Sequence, residues 1–163
     1  MTTTDPHPSP DSRLSPDGRL SPDRVLRHDS DLEDVLELLL DRALNPRQVW
    51  LLFLDDEHRL TGPVMPCDDY PLDPYGLEKT DDLGLVPCAE ILTAWIGDLL
   101  SAIGAARAVI VWERRGSRDF TPDERAWARA MAIECGAEGV DLRAQFVLHD
   151  DGIRQLTADD HLG

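Results

Sequence analysis

The alternation of apolar and polar positions divides the chain into a polar leader and a patterned body. Over 29–46, Leu32, Val35, Leu36, Leu39, Leu40 and Ala43 recur at three- and four-residue intervals and predict a helix. Ser30 or Asp31 can cap it, acids crowd its first turn, and Pro46 is placed to stop it. "QVWLLFL" (48–54) is apolar without a break, which predicts a strand buried on both faces. After the turn "DDEH", "RLTGPVM" (59–65) is its expected hairpin partner, weakened by Gly62 and Pro63. The stretch 66–87 is polar and patternless, and reads as a long loop carrying six acids and one Lys. "CAEILTAWIGDLLSAIG" (88–104) predicts an amphipathic helix ended by Gly104. "AVIVW" (108–112) predicts a second buried strand, followed by the loop "ERRGSRDF" (113–120). Thr121, Pro122 and Glu124 then combine a capping box with an N1 proline, predicting a helix to about Cys135. "VDLRAQFVLHD" (140–150) predicts a third strand, and "DG" (151–152) a turn into "IRQL" and a frayed end.

Helices and strands in alternation around a mixed sheet imply a layered α/β fold. Residues 29–156 are expected to form one domain, between a disordered tail over 1–28 and a frayed terminus over 157–163. The tail contains a tandem repeat, "RLSPDG" (13–18) and "RLSPDR" (19–24), in a turn-forming composition with little to bury.

Charge narrows the partners. The formal net charge is -16. The first 29 residues hold five Asp against four Arg, so the acidity belongs to the body. Such a field repels nucleic-acid phosphates and anionic lipid surfaces and favours solubility and a basic partner, which is expected to be a protein. An acidic mimic of nucleic acid would need its acids on one continuous face, and here they are spread. No apolar run is long enough to span a membrane, and the N-terminus lacks the pattern of a signal peptide. Cys67, Cys88 and Cys135 are odd in number and irregularly spaced, which fits reduced thiols and a cytoplasmic location. Lys79 is the only lysine, the usage expected of a GC-rich bacterial genome. Trp50, Trp95, Trp112 and Trp127 are expected in the core or at a homodimer face.

The loop 113–120 sits where many enzymes carry catalytic residues, between a buried strand and a well-capped helix. Its candidate binding residues are Glu113, Arg114, Arg115, Ser117, Arg118 and Asp119. The three arginines could hold an anion or an acidic partner, or pair with nearby acids within the chain. The histidines are scattered over 7, 28, 58, 149 and 161 and are expected at the surface. No nucleophile elbow and no phosphate loop is present. "CAE" (88–90) echoes the helix-borne C-x-E of zinc deaminases, but the P-C-x-x-C that such chemistry needs after the next strand is missing.

"RQVWLLFLDDEHRL" (47–60), then a helix, then "AVIVWERRGSRDFTPDERAW" (108–127), resembles the RadC-like branch of the JAB/MPN domain family over roughly residues 45–155. In that family an apolar run leads into "LD", a short polar turn and "RL". A metal motif of the form H-x-H-P-S-G-x-x-x-P-S-x-x-x-D follows a later strand. Laid over that motif, the two His positions fall on Glu113 and Arg115, the Pro on Gly116, the Ser on Ser117 and the Asp on or near Ala126. Asp119, Thr121 and Pro122 keep the spacing of the remainder. The resemblance implies a three-layer, deaminase-like sandwich. It also implies that the family's zinc is lost, because Arg only donates and Ala offers nothing. The expectation is a catalytically inactive scaffold or protein-binding module, with no metal, no cofactor and no catalytic residues, recognising its partner through loops 113–120 and 66–87. The alternative is a hydrolase built from Glu113, Ser117, Asp119 and the acidic loop.

Overall fold

The computed structural model describes residues 23–68, 70–81 and 84–162. Its first helix, α1 (Asp29–Leu40), leads into the antiparallel hairpin β1 (Arg47–Leu54) and β2 (Leu60–Asp68). A small separate hairpin follows, β3 (Leu77–Thr80) and β4 (Gly84–Pro87), and then α2 (Cys88–Ile103). The rest is β5 (Arg107–Arg114), α3 (Pro122–Glu138), β6 (Leu142–His149), β7 (Gly152–Leu156) and a last short helix, α4 (Ala158–Leu162).

Five strands form one mixed sheet in the order β2-β1-β5-β6-β7. Only β5 and β6 run parallel, joined by the α3 crossover. The two faces are covered separately. Val49, Leu51 and Phe53 of β1 and Ala108, Ile110 and Trp112 of β5 pack under α2 and α3. Their neighbours Leu52, Leu54, Val109 and Val111 pack under α1. Side chains alternate between faces along a strand, so a strand covered on both sides must be apolar throughout. That is why the two continuous apolar runs are the central strands of a three-layered α/β structure.

Several boundaries differ from the sequence expectations. The body starts before residue 29: Leu26 is buried in the α1 layer, and Arg24 pairs with Asp31 and Asp34. The assignment of residues 1–22 to a tail lies outside the described residues. The first helix ends at Leu40 rather than near Pro46, with Asp41 at φ 62. The chain leaves the helix because its next amides are taken elsewhere: Ala43 N donates to His149 O at 2.8 Å, and those of Leu44 and Asn45 go to Glu113. The helix start also differs, with His28 as N-cap and its amide donating to Asp31 Oδ2.

The expected loop 66–87 contains the β3–β4 hairpin, and "IRQL", after the expected turn, lies in the edge strand β7. The amide and hydroxyl of Thr157 both donate to Asp160 Oδ2 as a local cap, and the terminus expected to fray forms α4. Pro63 is tolerated because β2 is the other sheet edge. The register there jumps from Leu51↔Met65 to Phe53↔Thr61, so β2 carries extra residues around Gly62. No helix among the described residues is long and apolar enough to cross a membrane.

Candidate functional site

The loop 113–120 starts at consecutive residues that face opposite ways. Glu113 lies on the α1 side and is 1% exposed. Its Oε2 accepts from the amides of Leu44 (2.6 Å) and Asn45 (2.7 Å). Its Oε1 accepts from Asn45 Nδ2 (2.9 Å) and Trp50 Nε1 (2.9 Å). Burial alone would raise the Glu113 pKa. The hydrogen bonds from the Asn45 side chain, the two amides and Trp50 outweigh it and hold the carboxyl below its usual range.

Arg114 lies on the α3 side. Its guanidinium donates to Glu124 and to the carbonyls of Ser117 and Asp119, the last at 2.6 Å. Glu124 Oε2 accepts from Thr121 N (2.9 Å), and Thr121 Oγ1 accepts from Glu124 N (3.3 Å), so the expected capping box is formed. One Arg side chain thus ties the loop to the helix that follows it.

Arg115 donates to Asp150 Oδ1 at 2.6 Å, beside the bond from Asp150 N to Gly116 O at 3.0 Å. Gly116 has φ 122, a backbone state that L side chains rarely adopt. Ser117 Oγ accepts from Asp119 N, and the Arg118 carbonyl accepts from Arg154, whose guanidinium stacks 4.1 Å from the Phe120 ring centroid. Arg114 and Arg115 therefore pair within the chain, but with Glu124 and Asp150 rather than with Glu113, Asp119 or the 66–87 segment, while Arg118 contributes its carbonyl. The carboxylates of the hydrolase reading do not gather around Ser117: Glu113 is turned to the other face of the sheet.

The residues at the family's metal positions do not fit a zinc ion. Glu113 is saturated by four donors, and Arg115 is itself a donor. Among the described residues no group of three or more His, Cys, Asp or Glu could hold a metal ion. His149 is buried, not at the surface as expected, and its Nδ1 accepts from Asp151 N at 3.2 Å. Burial, then the charges of Arg114, Arg118 and Arg154, favour its neutral form. Burial also raises the pKa of all three thiols, helped by Asp68 at Cys67, by Glu78 and Asp73 at Cys88 and by Glu134 at Cys135, so they stay protonated.

No protein-family model matches this chain, and no curated protein matches it.

What sequence reasoning missed lies beside the loop. Tyr70, from the segment read as patternless, packs its ring 5.1 Å from Trp112 and 5.7 Å from Trp127, while those two lie 5.5 Å apart. Arg47 stacks on the other side of Tyr70 at 3.8 Å and donates to the carbonyls of Tyr70 and Pro71. Trp127 Nε1 also donates to Pro71 O at 2.8 Å. Burial pushes the Tyr70 phenol up to about 12. The first amides of α2, Cys88 and Ala89, donate to the carbonyls of Gly76 and Pro74, so the "CAE" helix start is capped by backbone. The available signal was the pair of aromatics in "DDYPLDPYG", unusual in a stretch otherwise made of acids and turn residues.

Between Tyr70–Pro71, β2, the β3–β4 hairpin and α2 lies a cleft of ≈ 320 Å³. Six of the nine large hydrophobic side chains exposed among the described residues fall between 64 and 95, and of these Trp95 lines the cleft. Leu77 and Leu85 occupy the hairpin's outer face, whereas Glu78 is on the inner face and lines the cleft with Trp95.

Proposed function

We propose that this chain is a degenerate member of the RadC-like branch of the JAB/MPN family that acts by binding protein. The order of elements, with a hairpin, a helix, a strand, a capped helix and a further strand, supports the family reading, as does the three-layer arrangement. The observation that carries the loss of chemistry is the four-donor environment of Glu113. A carboxylate fixed by two amides, an Asn and a Trp is a structural group, with no lone pair left over for a metal. Arg114 and Arg115 close the rest of the loop onto Glu124 and Asp150.

The binding half of the reading rests on where apolar surface is left. Six of the nine exposed large hydrophobics among the described residues lie in one region of the chain, and grouped exposed apolar surface marks interaction sites where single apolar residues do not. That region is the expected recognition segment 66–87, together with α2. Trp112 of β5 and Trp127 of α3 back it through their contacts with Tyr70.

The test is zinc stoichiometry and hydrolysis on the full chain, purified without chelator or metal-affinity tag and then supplemented with zinc. The reading expects zinc far below one equivalent and no cleavage of isopeptide or peptide substrates before or after supplementation. One bound equivalent with cleavage would overturn it.

A further inference from the structure

The cleft beside Tyr70 combines apolar walls with an acidic rim. Tyr70, Leu92, Trp95 and Trp127 are among its walls, and the charged side chains that line it are Asp68 and Glu78. Neither of those carboxylates has an ion-pair partner among the described residues. Asp73 lies close enough to act, with Glu78, on the Cys88 thiol that also lines the cleft. Arg47 is spent on the Tyr70 ring and on two carbonyls, and Lys79, next to Glu78 on β3, projects from the hairpin's other face. Trp95 remains 37% exposed at the mouth.

We propose that this cleft binds a basic peptide segment of a partner protein, seating one or two bulky apolar side chains among the aromatics while its Arg or Lys residues meet Asp68 and Glu78. The proposal rests on the protein-binding reading above and adds the partner's chemistry. Charge decides between occupants. A second copy would bring another chain of net charge -16 against the same rim. The chain's own residues 1–22 carry three Asp against two Arg, so they bring no surplus of positive charge. A basic segment satisfies the two carboxylates and covers Trp95, and opposite charge at the rim speeds the encounter.

The experiment uses the full chain and three synthetic helical peptides, read by isothermal titration calorimetry and tryptophan fluorescence at low and moderate salt. One peptide carries Leu anchors on an Arg background, one the same anchors on a Glu background, and one Arg with Ser in place of Leu. The Arg/Leu peptide is expected to bind and to weaken with salt. Trp95→Ala should weaken it about tenfold or more, as loss of a central aromatic anchor does. Asp68→Asn with Glu78→Gln should slow association and flatten the salt dependence. Both variants alter exposed or rim positions, and circular dichroism checks that they fold.

Equal binding of the Glu/Leu peptide overturns the basic chemistry yet leaves the protein-binding reading standing. Equal binding of the Arg/Ser peptide, or indifference to Trp95→Ala, means diffuse attraction to an acidic surface and overturns the site. Concentration-dependent dimerisation that shields Trp95 from a quencher overturns it in favour of a second copy. If none of the peptides binds, the proposal fails, while the zinc measurement still judges the loss of catalysis on its own.

Discussion

Trp50 and Glu113, on the adjacent strands β1 and β5, are joined by a hydrogen bond of 2.9 Å from the indole Nε1 to Oε1. The same carboxylate holds the connection from α1 to β1 through Leu44 and Asn45, sixty-nine and sixty-eight residues earlier in the chain. It therefore anchors a helix exit to a central strand. Replacing it by the isosteric Gln turns an NH₂ toward donors and strands at least one of them. The expected cost of Glu113→Gln is about 2–3 kcal/mol, as for a buried donor left unsatisfied. Urea unfolding of the two proteins measures it. A change within experimental error would mean that the carboxylate does not hold the connection.

The same group sets part of the acid limb of stability. Its folded-state pKa is below the ordinary value of 4.5. A depressed carboxylate stabilises fully above its unfolded-state pKa, and this contribution is lost as pH falls through the folded value. Asp29, which is exposed, and Asp150 and Asp160, which are half-buried, act with the same sign, held down by Arg143, by Arg115 and by the Thr157 amide respectively. Glu33 acts with the opposite sign, since burial and then Glu37 and Asp34 raise it. The difference in unfolding free energy between the wild type and Glu113→Gln isolates the one group. It should shrink as pH drops from about 5 to about 3 and stay flat above that. A difference constant across the range would show that folding does not depress the Glu113 pKa.

Arg114 is the second internal fastener. Its side chain and that of Glu124 are 11% and 3% exposed, so removing one partner leaves a charge with little solvent. Arg114→Met is expected to cost about 3 kcal/mol, and Arg114→Lys less, since an ammonium cannot span Glu124 and two loop carbonyls together. A double-mutant cycle with Glu124→Gln should give a coupling of about 1 kcal/mol or more. Amide exchange at Asp119 and Phe120 should rise in Arg114→Met. Unchanged exchange there would show that the loop is held by Arg115 and Asp150 alone.

The central strands, the α3 cap and the glycine stops were legible because each depends on local pattern: an unbroken apolar run, a Thr-Pro-x-Glu start, a Gly after the last turn. The end of α1 was not, because it is decided by an acid on a strand far along the chain. The same holds for Tyr70. Nothing within "DDYPLDPYG" says that its aromatic ring meets Trp112 and Trp127, since that contact depends on Arg47 and Trp127 gripping the carbonyls of residues 70 and 71. The candidate loop was correctly placed between strand and helix. Its charges were legible as a cluster but their partners were not: Glu124 was read only as part of the α3 cap, and Asp150 reaches Arg115 only because β6 lies beside β5.

Gly62 offers a last test, of whether the β2 irregularity is built into the fold. It has φ 70, and a Cβ added there would lie 2.7 Å from Ile103 Cγ2. Gly104 has nearly the same backbone, φ 76, with nothing within 4 Å of an added Cβ. Alanine at 104 therefore meets only the left-handed backbone penalty, about 1–2 kcal/mol. Alanine at 62 meets that penalty plus a collision with a β-branched side chain that is stiff at χ1. Gly62→Ala should be the more destabilising of the two. Combining it with Ile103→Ala should recover part of the excess, because the clashing methyl is gone. Thermal or urea unfolding of the four proteins decides the matter. Equal costs at 62 and 104, or no recovery with Ile103→Ala, would mean that β2 shifts to make room and that its register against β1 is soft.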